Sequence, residues 1–172
     1  MSNADDIRAA VEEFLVFLRE LPGSREDDLA ALLDHLDRLS TLGRHVSYQF
    51  EDGHPDPPSP GKPLLVAQAQ ARFPGLGPYN VPDPIEGSPG KAKILVGDPY
   101  NDIADLRGDL EEVAWCFTNT SANDALWQFE FGYQHHWGEH LSGLRWYLFR
   151  HLAGTDAAFY GADPVKPSDS SQ

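Results

Sequence analysis

The chain has one cysteine, Cys116. That excludes an internal disulfide framework and points to a reducing compartment. Basic residues are also scarce: 13 Lys and Arg stand against 27 Asp and Glu, a formal charge of −14 at pH 7. This balance lacks the basic footprint that nucleic acid requires and disfavours anionic membrane surfaces. No stretch approaches the ~18 apolar residues of a spanning helix. The N-terminal Met1-Ser2-Asn3-Ala4-Asp5-Asp6 has no basic n-region of a signal peptide. No G-x-S-x-G elbow, P-loop or dinucleotide-binding glycine run occurs. What remains, over 172 residues, is the expectation of one soluble, acidic, cytoplasmic domain long enough to bury a core unaided.

Proline divides the chain. Of 14 prolines, 11 lie between Pro55 and Pro99, where the fixed φ and missing donor exclude long helices. Upstream, Ile7, Val11, Phe14, Leu15, Leu18 and Leu21 share one helical face, ended by Pro22-Gly23. Ser24 with Asp27 reads as the start of a second helix, whose stripe is Leu29, Leu32, Leu33, Leu36 and Leu39. Together they predict an antiparallel hairpin. Residues 51–98 read as an irregular Pro/Gly-rich insertion holding about two helical turns from Leu64 to Phe73 and a loop from Pro74 to Gly90. His45 to Phe50 fits a short strand or one helical turn. Downstream, Ile103, Leu106, Leu110, Val113, Ala114 and Phe117 mark another helix. Ser121 and Asp124 then cap a last one, running without a break to about Leu152. The expected fold is an all-α, compact bundle of four to five helices over 1–153, with a disordered tail at 154–172. Aromatic residues point to several sides of the last helix. That predicts a central position in the bundle, surrounded by the others.

Three blocks in this C-terminal half carry a resemblance. They are Asp102-Ile103-Ala104-Asp105-Leu106 with Asp109, then Asn123-Asp124-Ala125-Leu126, then Tyr133 followed by Trp137-Gly138 and Leu141. Their order and spacing resemble the uncharacterised bacterial family catalogued as domain of unknown function 5063. The resemblance covers about fifty residues, Asp98 to Leu148. It implies a compact all-α protein with an early helical hairpin, and no reaction. Arg145 and Trp146 depart from the family pattern, which tends to an aliphatic residue and then an arginine there.

Two constellations bear on chemistry. His136-Trp137-Gly138-Glu139-His140 spells H-x-x-E-H, in which histidines four apart share a helix face and can present two imidazoles to one ion, with Glu139 as a base. No Glu follows Glu139, so the third ligand a zinc peptidase needs is missing. The bland alternative has His140 at the core edge with His135 and His136 in solvent. Asp102, Asp105, Asp109 and Glu112 step by three, four and three along one face. Such a row can hold a hard divalent ion, completed by Glu130, His136 or Glu139 from the last helix. Otherwise Asp102 and Asp105 serve the helix N-terminus while Asp109 and Glu112 face water, or Asp105 or Asp109 pairs with Arg145 or Arg150 to fix register. Trp137, Gly138, Leu141, Asp105 and Arg145 are expected in structural or interaction roles. Cys116 reads as an inert buried thiol.

The functional expectation is a non-enzymatic protein-binding or accessory module, needing no cofactor, whose acidic surface suits a basic protein partner, with homodimerisation through exposed aromatics as a variant. The alternative is a divalent-metal-dependent hydrolase using Mg²⁺, Mn²⁺ or Zn²⁺ at Asp102, Asp105, Asp109, His136, Glu139 and His140.

Overall fold

The computed structural model describes residues 4–59, 61–83 and 90–153. The expected tail at 154–172 lies outside the described residues, as do positions 60 and 84–89 of the insertion. The architecture is mostly α: α1 (Ala4–Phe17), α2 (Arg25–Gly43), α3 (Lys62–Arg72), α4 (Pro99–Asn119), α5 (Ala122–His135) and α6 (Trp137–Leu152). A two-stranded antiparallel sheet, β1 (Tyr79–Asp83) and β2 (Lys93–Gly97), lies between α3 and α4, with Tyr79 opposite Gly97 and Val81 opposite Leu95. Among the described residues, no helix is long and apolar enough to cross a membrane.

The amphipathic stripes form the core as their spacing predicts. Ile7, Val11 and Phe14 of α1 share one core cluster with Leu32 and Leu36 of α2, and each such side chain contributes about 1.5–3 kcal/mol by leaving water. Leu21 does not continue the stripe: α1 ends at Phe17, and Leu21 is 89% exposed. Ser24 precedes α2 without a side-chain cap. Asp28 instead accepts from the Gly23 backbone N–H (2.8 Å), satisfying one donor at the turn. Its other partner is Arg72 of α3, nearly buried, whose Nη1 lies 2.6 Å from Asp28 Oδ2. The guanidinium also lies 4.8 Å from the ring centres of both Phe17 and Phe73, and this pair locks α3 onto the hairpin.

The centre of the bundle is α4, which packs against α1, α3, α5 and α6. This corrects the expectation of a central last helix. That segment is two helices, making six among the described residues, because His136 has non-helical torsions (φ −147°, ψ −83°). Close approach forces the break. A Cβ on Gly138 would lie 2.0 Å from the Tyr133 carbonyl oxygen, and one on Gly132 would lie 2.7 Å from the Trp137 indole. Trp137 is thereby sealed in the core against Phe129 and Tyr133. The outer face of α6 leaves Trp146 and Phe149 exposed and stacked on each other.

The insertion is less irregular than its prolines suggest. The α3 helix fills the Leu64–Phe73 stretch, but β1 occupies part of the expected loop, and residues 46–50 are neither strand nor helix. The hairpin docks through Tyr79, whose ring stacks on Tyr147 (4.9 Å). Gly97 and Gly143 make room for it, since a Cβ at either would lie 2.7 Å from a Tyr79 side-chain atom.

Candidate metal centre

Asp98, not Asp102 or Asp105, caps α4: its Oδ1 accepts from the Tyr100 N–H (3.0 Å), and Pro99 follows in the first turn. Asp102, Asp105 and Asp109 are therefore free of capping duty. They lie on the face of α4 that meets the α5–α6 junction. The break at His136 turns both histidines of the H-x-x-E-H segment toward that row. His136 Nδ1 lies 2.7 Å from Asp109 Oδ2, and His140 Nδ1 lies 2.8 Å from Asp102 Oδ1. An ionised carboxylate only accepts, so in each pair Nδ1 carries the proton and donates. Nε2 is then the nitrogen left to bind a ligand. His140 Nε2 lies 3.6 Å from Asp105 Oδ2. Asp105, His136 and His140 each offer one ligand atom, all within 4.8 Å of one another.

Two groups that sequence reasoning did not mark complete the environment. Tyr79 OH donates to Asp102 Oδ2 (2.6 Å), so that buried carboxylate is held from both sides. Lys62, the first residue of α3, places Nζ 2.7 Å from Asp105 Oδ1 and 2.9 Å from Oδ2. The site opens onto a groove of about 280 Å³. Its acidic floor is Asp102 and Asp105, with Asp98 and Glu139 at its sides and apolar Val81, Leu95 and Val96 along the hairpin wall.

The electrostatics follow from burial and pairing. The hydrogen bond that His140 donates to Asp102 raises the imidazole pKa against the opposing effect of burial; the charges of Asp102 and Asp105 add to the rise, and Lys62 works against it. Asp109 is also raised, because burial outweighs its bond to His136. Burial and the Asp102 contact push the Tyr79 phenol well above its ordinary value, so it stays a donor.

Other candidates lie elsewhere. Glu139 is exposed at the groove rim. Glu130 is bonded to Tyr48 and Glu112 accepts from Gln128 (3.2 Å); neither belongs to the cluster of converging ligand atoms. Arg145 does not pair with Asp105 or Asp109. It reaches across to Asp37 of α2, a half-exposed pair that links α2 to α6. Asp109 is paired with His136 and only a quarter exposed, rather than solvated, and His136 is not simply in solvent. Leu141 and Trp137 are core residues. Cys116 is buried, and desolvation raises its pKa to about 11, so its thiol is unreactive at neutral pH.

The chain is similar in fold to protein BF1032 from Bacteroides fragilis, a crystal structure with 16% sequence identity. The TM-score is 0.66, over 86% of this chain and 90% of that one. At that identity the likeness extends to the fold alone. No protein-family model matches the chain, and no curated protein matches it either.

Proposed function

We propose that the protein binds one divalent transition-metal ion through Asp105, His136 and His140, and that the bound ion activates water beside the groove, as in metal-dependent hydrolysis. The observation behind this reading is the convergence of three ligand atoms within 4.8 Å, with each imidazole backed by its own aspartate. Carboxylates behind metal-binding histidines fix the tautomer and raise ligand basicity. Three protein ligands leave a coordination position for water, whose pKa a bound metal lowers toward 7. Two imidazoles suit Zn²⁺ better than Mg²⁺ or Mn²⁺, which favour oxygen ligands.

The test is a thermal melt of EDTA-treated protein with and without each ion. Zn²⁺ is expected to raise the midpoint in wild type and to leave Asp105→Asn and His140→Ala unmoved. Equal shifts in all three would contradict the assignment.

A second reading, a non-enzymatic accessory module for a basic protein partner, draws support from a surface run of rings. Phe50, Trp127, Phe131 and His135 form successive contacts of 5.9, 5.2 and 4.6 Å, with Phe50 and Phe131 largely exposed, on a chain of charge −14. Reversing surface acids would then weaken association in cell lysate, and unchanged association would exclude that mode. A homodimer built on these rings would double the mass in solution scattering. A cytoplasmic location, where a lone cysteine stays reduced, fits both readings, and the resemblance to domain of unknown function 5063 carries no activity.

A further inference from the structure

We propose that Lys62 is a tethered counter-ion that occupies the metal site's carboxylate and must leave it before a metal can bind. This rests on the metal reading above and adds its regulation. Lys62 Nζ contacts both oxygens of Asp105, at 2.7 and 2.9 Å, so the ammonium lies where a cation bound to that carboxylate would sit. The two partners differ in freedom. The Asp105 side chain is only 10% exposed, whereas that of Lys62 is 54% exposed and has a route into solvent.

The surrounding charges explain why a counter-ion is there. Asp102, Asp105 and Asp109 come from one face of α4, and Asp98 and Glu139 stand at the groove. Against them the described residues set Lys62 and the two imidazoles of His136 and His140. The ammonium end of the pair is open to water, where a single charge is readily solvated, so a divalent ion can displace it. An ammonium held within a few ångströms of that ion would instead repel it. The lysine therefore neutralises the metal-free site and lowers its apparent affinity, so that only an ion binding more tightly than this internal competitor is retained.

Calorimetric titration of Zn²⁺ into metal-stripped wild type, Lys62→Met and Lys62→Arg provides the test. Lys62→Met, which keeps the aliphatic stem, is expected to bind Zn²⁺ about tenfold more tightly than wild type, while Lys62→Arg binds no more tightly than wild type. Trace acetylation supplies a second readout: the Lys62 amine is expected to react faster when Zn²⁺ is present, because it has left Asp105. If wild type binds Zn²⁺ and Lys62→Met binds equally or less tightly, Lys62 is a supporting group and the counter-ion role is wrong. An acetylation rate unchanged by bound Zn²⁺ would also overturn it. If neither wild type nor Lys62→Met takes up Zn²⁺, the metal reading itself has failed.

Discussion

Two sheltered clusters of charge in this molecule use the same kinds of groups and reach opposite states. Between α2 and α3, Arg72 and Asp28 match one to one: the carboxylate is gripped by guanidinium nitrogens at 2.6 and 2.8 Å, and two phenylalanine rings flank the cation. The arginine holds the Asp28 pKa below the ordinary 3.8. Between α4 and the α5–α6 junction, three aspartates share one lysine and two histidines, and the shifts run upward at Asp109 and His140. The first cluster is closed, with each charge answered inside the fold. The second carries an excess of acceptors, with imidazoles oriented but not saturated. A matched buried pair holds elements together, while an unmatched one invites a cation from outside.

The comparison breaks most severely at the closed pair. Arg72→Ala leaves the Asp28 carboxylate without its cation, with only the Gly23 N–H bonded to it, and opens space beside Phe17 and Phe73. It is expected to lower unfolding stability by about 3–5 kcal/mol, the usual consequence of stranding one member of a buried pair, as measured by urea denaturation. A loss below about 1 kcal/mol would show that the pair is not architectural. Next comes Gly138→Ala. The new methyl would meet the Tyr133 carbonyl oxygen, and overpacking of this kind costs about 1–3 kcal/mol. Because the junction aims both imidazoles, Zn²⁺ binding should fall along with stability, a pairing that a purely structural glycine would not produce.

The open cluster should respond differently. Without metal, Asp105→Asn is expected to change stability by less than about 1 kcal/mol, since the lysine it pairs with can turn into solvent and His140 keeps its closer bond to Asp102. With Zn²⁺ at a hundred times its dissociation constant, wild type should gain about 2.7 kcal/mol and the variant nothing. The smallest effect is in pH. His140 has a folded pKa above its ordinary 6.5, so its stabilising share is complete below that value and is lost as pH climbs through the folded one. Asp28, lowered from 3.8, contributes above 3.8 and loses its contribution as pH falls through the folded value. Metal-free stability should thus decline gently above pH 6.5 in wild type and less in His140→Gln, while acid loss below pH 4 should remain in both.

Much of the scaffold is written in local periodicity. The stripes of α1, α2 and α4 form because their apolar residues recur at helical spacing, and Ser121 caps α5 by accepting from the Asp124 N–H. The break at His136 was hidden, since Leu126 to Leu148 continues the same period across it. Gly132 and Gly138 on either side of Trp137 were the signal, but their meaning depends on how closely Tyr133 and the indole pack. The hairpin was hidden for another reason: Ile94, Leu95 and Val96 of β2 are exposed, so no alternating inside–outside pattern marks the strand. At the candidate centre, the spacing of Asp102, Asp105 and Asp109 and the four-residue step from His136 to His140 were readable. Their pairing was not, because it is decided where two helices meet. Lys62 and Tyr79 lie 43 and 23 residues from the aspartates they touch, within the proline-rich stretch, and no local pattern connects them. Arg145 was expected at this cluster and instead serves α2, since its place on α6 faces Asp37.

X-ray absorption at the zinc edge, recorded on protein dialysed after Zn²⁺ loading, addresses the central claim most directly. One zinc per chain, with two imidazole nitrogens and oxygen in its shell, and loss of that signal in the His136→Ala/His140→Ala double variant, is the result the account predicts. Zinc absent after dialysis, or retained with a shell indifferent to both histidines, would contradict it.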